Sequence, residues 1–186
     1  MNVFGVNGSG RTGGNTSVLV NALLEGAAEA GAQTHLIELG ELSIAPCDSC
    51  KACKKTHRCI ISDDMDRFYT LAPETDVLIL TTPIYLDHVS AQIMTFIQRT
   101  YCYLGLTLEN YWPRKNVRAV LGITQGASNP EAYDPVLDWM ADRLTKYYDI
   151  PTIARFTVAS TRYQPVITPD HPEIQRAHAF GMTLRD

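Results

Sequence analysis

Val77-Leu78-Ile79-Leu80-Thr81-Thr82 is a continuous apolar run rich in β-branched residues. Such a run fits a strand buried on both faces, the condition of a central strand in a parallel sheet. Parallel neighbours need crossover connections, so strands and helices should alternate along the chain. The pattern supplies them. A strand is expected at Met1–Val6, a helix over residues 17–30 ending near Gly31, and a strand at Thr34–Leu39. A helix from Met65 to about Leu71 follows, capped by Asp63 or Asp64 and stopped at Pro73. Beyond the central run come a helix from about Ser90 to Tyr103, a strand at Val117–Thr124 and a helix at Val136–Tyr148. A strand at Thr152–Val158, a Pro-rich loop and a helix from Pro172 to about Leu184 complete the series. Five strands in 186 residues fit a doubly wound α/β sheet of order 2-1-3-4-5 with helices on both faces. Ligands then sit outside the carboxyl ends of the strands, where strands one and three part.

The loop after the first strand reads Asn7-Gly8-Ser9-Gly10-Arg11-Thr12-Gly13-Gly14-Asn15-Thr16-Ser17. Glycines let backbone approach a ligand, and the N–H groups that open a helix attract an anion. Gly8-x-Gly10-x-x-Gly13 matches the dinucleotide fingerprint in form, with Glu38 in the place of the ribose-binding acid. A pyrophosphate diester is held mostly by bare backbone, however, whereas a terminal phosphate monoester rewards hydroxyls and a cation. Ser9, Arg11, Thr12, Asn15, Thr16 and Ser17 supply both, which suits a phosphomonoester such as the end of FMN. No Gly-Lys-Ser/Thr follows the glycines, so a Walker A loop is excluded. A Gly-rich turn capped by Asn15 or Thr16 is the plainer account of the same residues.

Two further loops should reach the same pocket. Thr82-Pro83-Ile84-Tyr85-Leu86-Asp87-His88-Val89-Ser90 leaves the central strand, with Tyr85 offering a planar apolar face and a hydroxyl. Its other reading is a plain strand-to-helix turn capped by Ser90. Thr124-Gln125-Gly126-Ala127-Ser128 is a small-residue loop that a flat ring could approach. His88 reads as a solvated loop residue. Tyr111 and Trp112 serve equally as core, lid or cover for a neighbouring subunit.

Four of the five cysteines fall within thirteen residues, Cys47, Cys50, Cys53 and Cys59, as C-x2-C-x2-C-x5-C. Thiolates three residues apart in a tight turn can hold corners of an iron–sulfur cubane, with the fourth reaching back. Lys51, Lys54, Lys55 and Arg58 would offset their charge. Zinc is less natural, since four-cysteine zinc sites usually use two separated knuckles. Reduced thiols packing a loop, or a redox-active thiol pair, remain open. Cys102 reads as core.

A formal net charge of −4 and the lack of a basic run argue against nucleic acid or an acidic membrane as partner. No apolar run is long enough to cross a bilayer and no signal peptide is visible, so the cytoplasm is the expected compartment. One domain is expected over residues 1–186, with a Cys-rich loop at 46–59.

Gly8-Ser9-Gly10-Arg11 with Gly14-Asn15-Thr16, Pro46-Cys47 to Cys59, Asp63-Asp64-Met65, and Thr82-Pro83-Ile84-Tyr85 with Val89-Ser90-Ala91-Gln92 together resemble a known group. It is the flavodoxin-like NAD(P)H-dependent FMN reductases and, within them, the iron–sulfur flavoproteins. The resemblance implies FMN with its phosphate on Ser9, Arg11, Asn15, Thr16 and Ser17, Thr12 and Gly14 belonging to the same loop. It sets the isoalloxazine ring against Pro83, Ile84 and Tyr85, with Leu86 and Ser90 in that loop and Gly126 opposite. It implies Cys47, Cys50, Cys53 and Cys59 as [4Fe–4S] ligands, NAD(P)H or a reduced carrier as donor, and a homodimer or homotetramer. The flavin carries the chemistry, so no side chain is assigned as general acid or base. The alternatives are a cluster-free quinone, azo or nitro-compound reductase, an electron-transfer flavoprotein that docks with a ferredoxin-like partner, and a thiol-based redox sensor.

Overall fold

The computed structural model describes residues 1–162 and 167–185; residues 163–166 of the expected Pro-rich loop lie outside the described residues. In chain order the strands are β1 (Asn2–Asn7), β2 (Gln33–Glu38), β3 (Val77–Tyr85), β4 (His88–Val89), β5 (Arg118–Thr124) and β6 (Thr152–Val158). The helices are α1 (Asn15–Glu29), α2 (Asp66–Leu71), α3 (Ala91–Arg99), α4 (Asp134–Tyr148) and α5 (Pro172–Gly181). The sheet runs β2-β1-β3-β5-β6, all parallel, and β4 pairs antiparallel with the end of β3. Without the two-residue β4, this is the expected 2-1-3-4-5 order. The addition arises where the chain doubles back at Leu86-Asp87, beyond the end of the apolar run.

Side chains on a strand alternate between faces, so the unbroken apolar run of β3 feeds two cores. Val77 and Ile79 join Val3, Leu19, Leu23, Phe156 and Ile174 under α1 and α5. Leu78 and Leu80 join Phe4, Phe68, Phe96, Trp112 and Met140 under α2, α3 and α4. Trp112 is therefore core, and so is Cys102, buried in the helical turn Thr100–Tyr103 that follows α3. The α3 helix ends at Arg99 and tightens into this turn, a common finish for a helix entering an irregular segment. No helix among the described residues is long and apolar enough to cross a membrane.

The face carrying α1 and α5 depends on backbone contact between the two helices. A methyl group on Gly26 would stand 2.1 Å from the His178 carbonyl oxygen, and one on Gly181 would stand 2.3 Å from that of Leu23. Neither obstacle is a side chain that can turn away. Gly26→Ala should therefore lower stability by about 1–3 kcal/mol or more, the usual cost of overpacking, despite alanine's better helix propensity. A fall in the denaturant midpoint at constant m-value checks this.

Candidate functional site

The register aligns Asn7 with Thr81, Pro83 with Thr124, and Thr124 with Val158, so β1, β3, β5 and β6 end at one edge of the sheet. The loops leaving that edge enclose a cavity of about 660 Å³. Ser9, Arg11, Asn15 and Thr16 line it from the β1–α1 side, and Pro83, Ile84, Tyr85, Leu86 and Asp87 from the β3–β4 hairpin. Thr124, Gly126, Ala127 and Tyr133 close it from the β5–α4 connection, and Thr161 and Arg162 from the end of β6. A cavity of similar size, about 680 Å³, opens beside α4 and α5. Its arginines are committed to carboxylates, Arg155 to Asp138 and Arg176 to Glu173, both at 2.6 Å.

The β1–α1 loop is built for an anion. Helix α1 starts after Gly14 with no side-chain cap and no acidic residue in its first turn. Its positive end therefore has no carboxylate of its own to oppose it. Gly13 turns the chain at φ +68°, and the Arg11 guanidinium lies against Gly14, where an added methyl would meet its Nε at 3.0 Å. A cation folded over the positive end of a helix is unfavourable unless an anion lies between them. Ser9 Oγ accepts from the Arg11 N–H at 3.0 Å, the Thr16 and Thr124 hydroxyls share a hydrogen bond of 2.8 Å, and Asn15 Oδ1 accepts from Ile167 N–H at 2.8 Å.

Thr12, Gly14, Ser17 and Ser90 do not line this cavity. Thr12 turns outward to Glu41, and Gly14 is covered by Arg11. Ser17 accepts from Asn7 Nδ2 at 2.8 Å, and the same amide donates to Glu38 at 2.6 Å. Glu38 is therefore spent within the sheet, where burial raises its carboxyl. Ser90 is fully buried and caps α3, accepting from Ile93 N–H at 3.2 Å and donating to the Gly8 carbonyl. Sequence reasoning gave no role to Tyr133, Thr161 or Arg162. The rule that ligands sit beyond the carboxyl ends of strands, applied to β6 as well, would have found the last two.

At the mouth of the cavity, the hairpin places Leu86 and Asp87 at φ +46° and +61°, and Tyr85 opposite His88. This turn geometry usually takes Asn-Gly. Asp87 Oδ1 accepts from the Tyr133 hydroxyl at 2.8 Å, tying the hairpin to the far wall. Leu86 is 100% exposed and Tyr85 56%, so an apolar lip faces solvent beside the opening.

The cysteine stretch has little regular structure, yet it is firmly held. Arg99, whose side chain is fully buried, donates to Ala45 O at 2.8 Å, to Ile61 O at 3.2 Å and to both Asp63 oxygens at 2.6 and 3.2 Å. Both ends of the loop are thus joined by one guanidinium. Lys54 Nζ caps the Tyr101 and Leu104 carbonyls at 2.9 and 2.6 Å and lies 3.3 Å from the Tyr101 ring centre. His57 stacks on Tyr111 at 3.7 Å. Cys53 is buried, Cys47 and Cys59 half-buried, and Cys50 exposed. Burial raises the Cys53 thiol, Lys54 opposes the rise, and Cys59, Cys50 and Cys47 add to it. The four thiols therefore share one electrostatic neighbourhood. Among the described residues no three His, Cys, Asp or Glu side chains converge closely enough to hold a metal ion.

The fold and this cavity define an α/β protein with an open, anion-ready cavity at the switch point of its sheet. Residues 1–146 match the model of the NADPH-dependent FMN reductase family. An iron–sulfur flavoprotein of Methanosarcina thermophila is 30% identical over 142 residues, 75% of this chain and 73% of that protein. One of Methanocaldococcus jannaschii is 39% identical over 111 residues, 59% of this chain and 58% of that protein. Among solved structures, an NAD(P)H:quinone oxidoreductase from Methanothermobacter marburgensis superposes with a TM-score of 0.75 at 14% identity, over 100% of this chain and 99% of that one. The chain belongs to the NADPH-dependent FMN reductase family and is an FMN-dependent oxidoreductase.

The Arg99 clamp carries a prediction of its own. Partial burial would raise the Asp63 carboxyl, but Arg99 and the N–H groups of Ala45 and Met65 outweigh it and hold it below the usual carboxylate range. Because the folded value is the lower one, the clamp contributes fully above the ordinary value of about 4. Its contribution is lost as pH falls through the folded value. Arg99→Met leaves Asp63 with only the Ala45 and Met65 N–H groups and should cost about 3 kcal/mol at neutral pH, shrinking below pH 4. It should also expose residues 46–59 to proteolysis. Denaturant midpoints across pH and mapping of the first cleavage site measure both.

Proposed function

We propose that FMN lies in the 660 Å³ cavity with its phosphate on Ser9, Arg11, Asn15 and Thr16. Its ring runs along Pro83, Ile84, Tyr85 and Leu86, with Gly126 opposite. The observation that carries this reading is the Arg11 guanidinium folded over the uncapped positive end of α1, an arrangement that a dianionic phosphate completes. The bound flavin supplies hydride and single-electron chemistry. The chain's own residues do the rest. Arg11 and the first turn of α1 bind the phosphate, and the Thr16–Thr124 hydroxyl pair fixes the floor between them. The Asp87–Tyr133 bond holds the hairpin at the height the ring needs, and the exposed edge at Tyr85 and Leu86 admits a nicotinamide donor.

Cys47, Cys50, Cys53 and Cys59, whose thiols do not converge in this structure, would hold a [4Fe–4S] cluster by closing around it. Four thiols on one clamped loop, flanked by Lys51, Lys55 and Arg58, have the donor chemistry of such a site. The names of the two archaeal relatives support the same assignment. Such a cluster would supply one-electron chemistry beside the flavin, toward small-molecule or redox-protein partners. The functional form would be a homodimer or homotetramer in the cytoplasm.

The visible spectrum of protein purified without oxygen tests both assignments together. Flavin bands on a broad sulfide-to-iron absorption that bleaches with dithionite are expected. Flavin bands alone would return the cysteines to the role of thiols and favour a two-electron quinone, azo or nitro-compound reductase. Colourless protein that takes up no added FMN would overturn the whole reading.

A further inference from the structure

The cavity is lined by a second cation besides Arg11. Arg162 lines the same cavity as Arg11 but comes from the loop after β6. Backbone bonds fix that loop against the one after β5. Gln125 N–H donates to Val158 O at 2.9 Å and Ser160 N–H to Ala127 O at 2.8 Å. The Thr161 N–H and hydroxyl both donate to Gln125 O, each at 3.0 Å. Arg162 is thereby pressed onto Gly126, where an added methyl would meet its Cβ at 3.0 Å and its Nε at 3.2 Å. Its charge also reaches the Tyr133 phenol, which the hydrogen bond to Asp87 raises and Arg162 lowers.

We propose that Arg162 tunes the electron affinity of the cofactor rather than its binding. The inference rests on the FMN reading, in which Gly126 borders the ring. An oxidised flavin ring is neutral and gains little from a nearby cation. Reduction, or addition of a nucleophile at N5, leaves negative charge on N1 and the C2 carbonyl, and a fixed guanidinium stabilises that state selectively. Arg162 is exposed at the rim, so solvent screening limits the effect.

Sulfite binding to the FMN-loaded protein isolates this effect. The sulfite lone pair forms the N5–S bond, the ring takes the negative charge, and no oxidant is needed. Bleaching of the visible flavin absorption reports the adduct. Wild-type protein should form it. Arg162→Met should bind sulfite about tenfold more weakly, while Arg162→Lys, which keeps the charge, recovers most of the affinity. FMN dissociation constants should stay within about threefold across the series, since the phosphate is held elsewhere. Equal sulfite affinity in wild type and Arg162→Met overturns the proposal, as does a wild type that forms no adduct. Loss of FMN from a folded Arg162→Met also overturns it, because Arg162 would then be an anchor. A wild type that binds no FMN fails at an earlier step, and it removes the FMN reading and this proposal together.

Discussion

The site depends on one buried hydroxyl. Ser90 Oγ donates to the Gly8 carbonyl, accepts from the first turn of α3, and sits on a backbone N–H bonded to Thr82 Oγ1 at 3.1 Å. Gly8 N–H in turn donates to Thr81 O at 2.7 Å. The loop after β1, the end of β3 and the start of α3 therefore form one hydrogen-bonded unit, at the point where the parallel sheet divides. A methyl on Gly8 would stand 2.8 Å from both Thr81 O and Ile93 Cβ, so this join requires glycine. Sheet edges leave polar groups without ladder partners, and here they are satisfied in a way that sets an anion site and a hairpin wall at fixed heights.

The cysteine loop is assembled on different terms. It owes little to the sheet and much to α3, whose last residue, Arg99, gathers both of its ends. Burying a guanidinium is costly, and it is tolerated here because Asp63 and two carbonyls take up donors on both terminal nitrogens, leaving only Nε without a partner. The cavity and the loop thus share α3 as a common support, Ser90 at its start and Arg99 at its end. A helix anchored at both ends in this way keeps the separation of the two regions constant.

The fold was legible in the sequence because its strongest signals are periodic. The β3 run, the helical spacing of α4 and the glycines after β1 each follow from local physics, and the observed boundaries differ by only a few residues. The residues lost to sequence reasoning are those whose roles depend on distant partners. Arg99 closes an amphipathic helix and looks like a surface charge until Asp63, 36 positions away, folds against it. Ser17 and Thr12 belong to the right loop, but α1 turns one inward to Asn7 and the other outward to Glu41. Tyr133 and Arg162 come from connections with no motif at all, and only the sheet brings them to the cavity. Leu86-Asp87 carries no turn signature, so the hairpin and β4 were invisible before the structure.

The central claim is that the β1–α1 loop recognises a terminal phosphate. The most direct test compares the dissociation constants of FMN and riboflavin for the apoprotein, since the two share a ring and differ in the phosphate. The account predicts that riboflavin binds at least about 100-fold more weakly, about 2.7 kcal/mol for a charge-assisted anchor of several hydrogen bonds. Equal affinity for the two would contradict it and move the recognition to the ring.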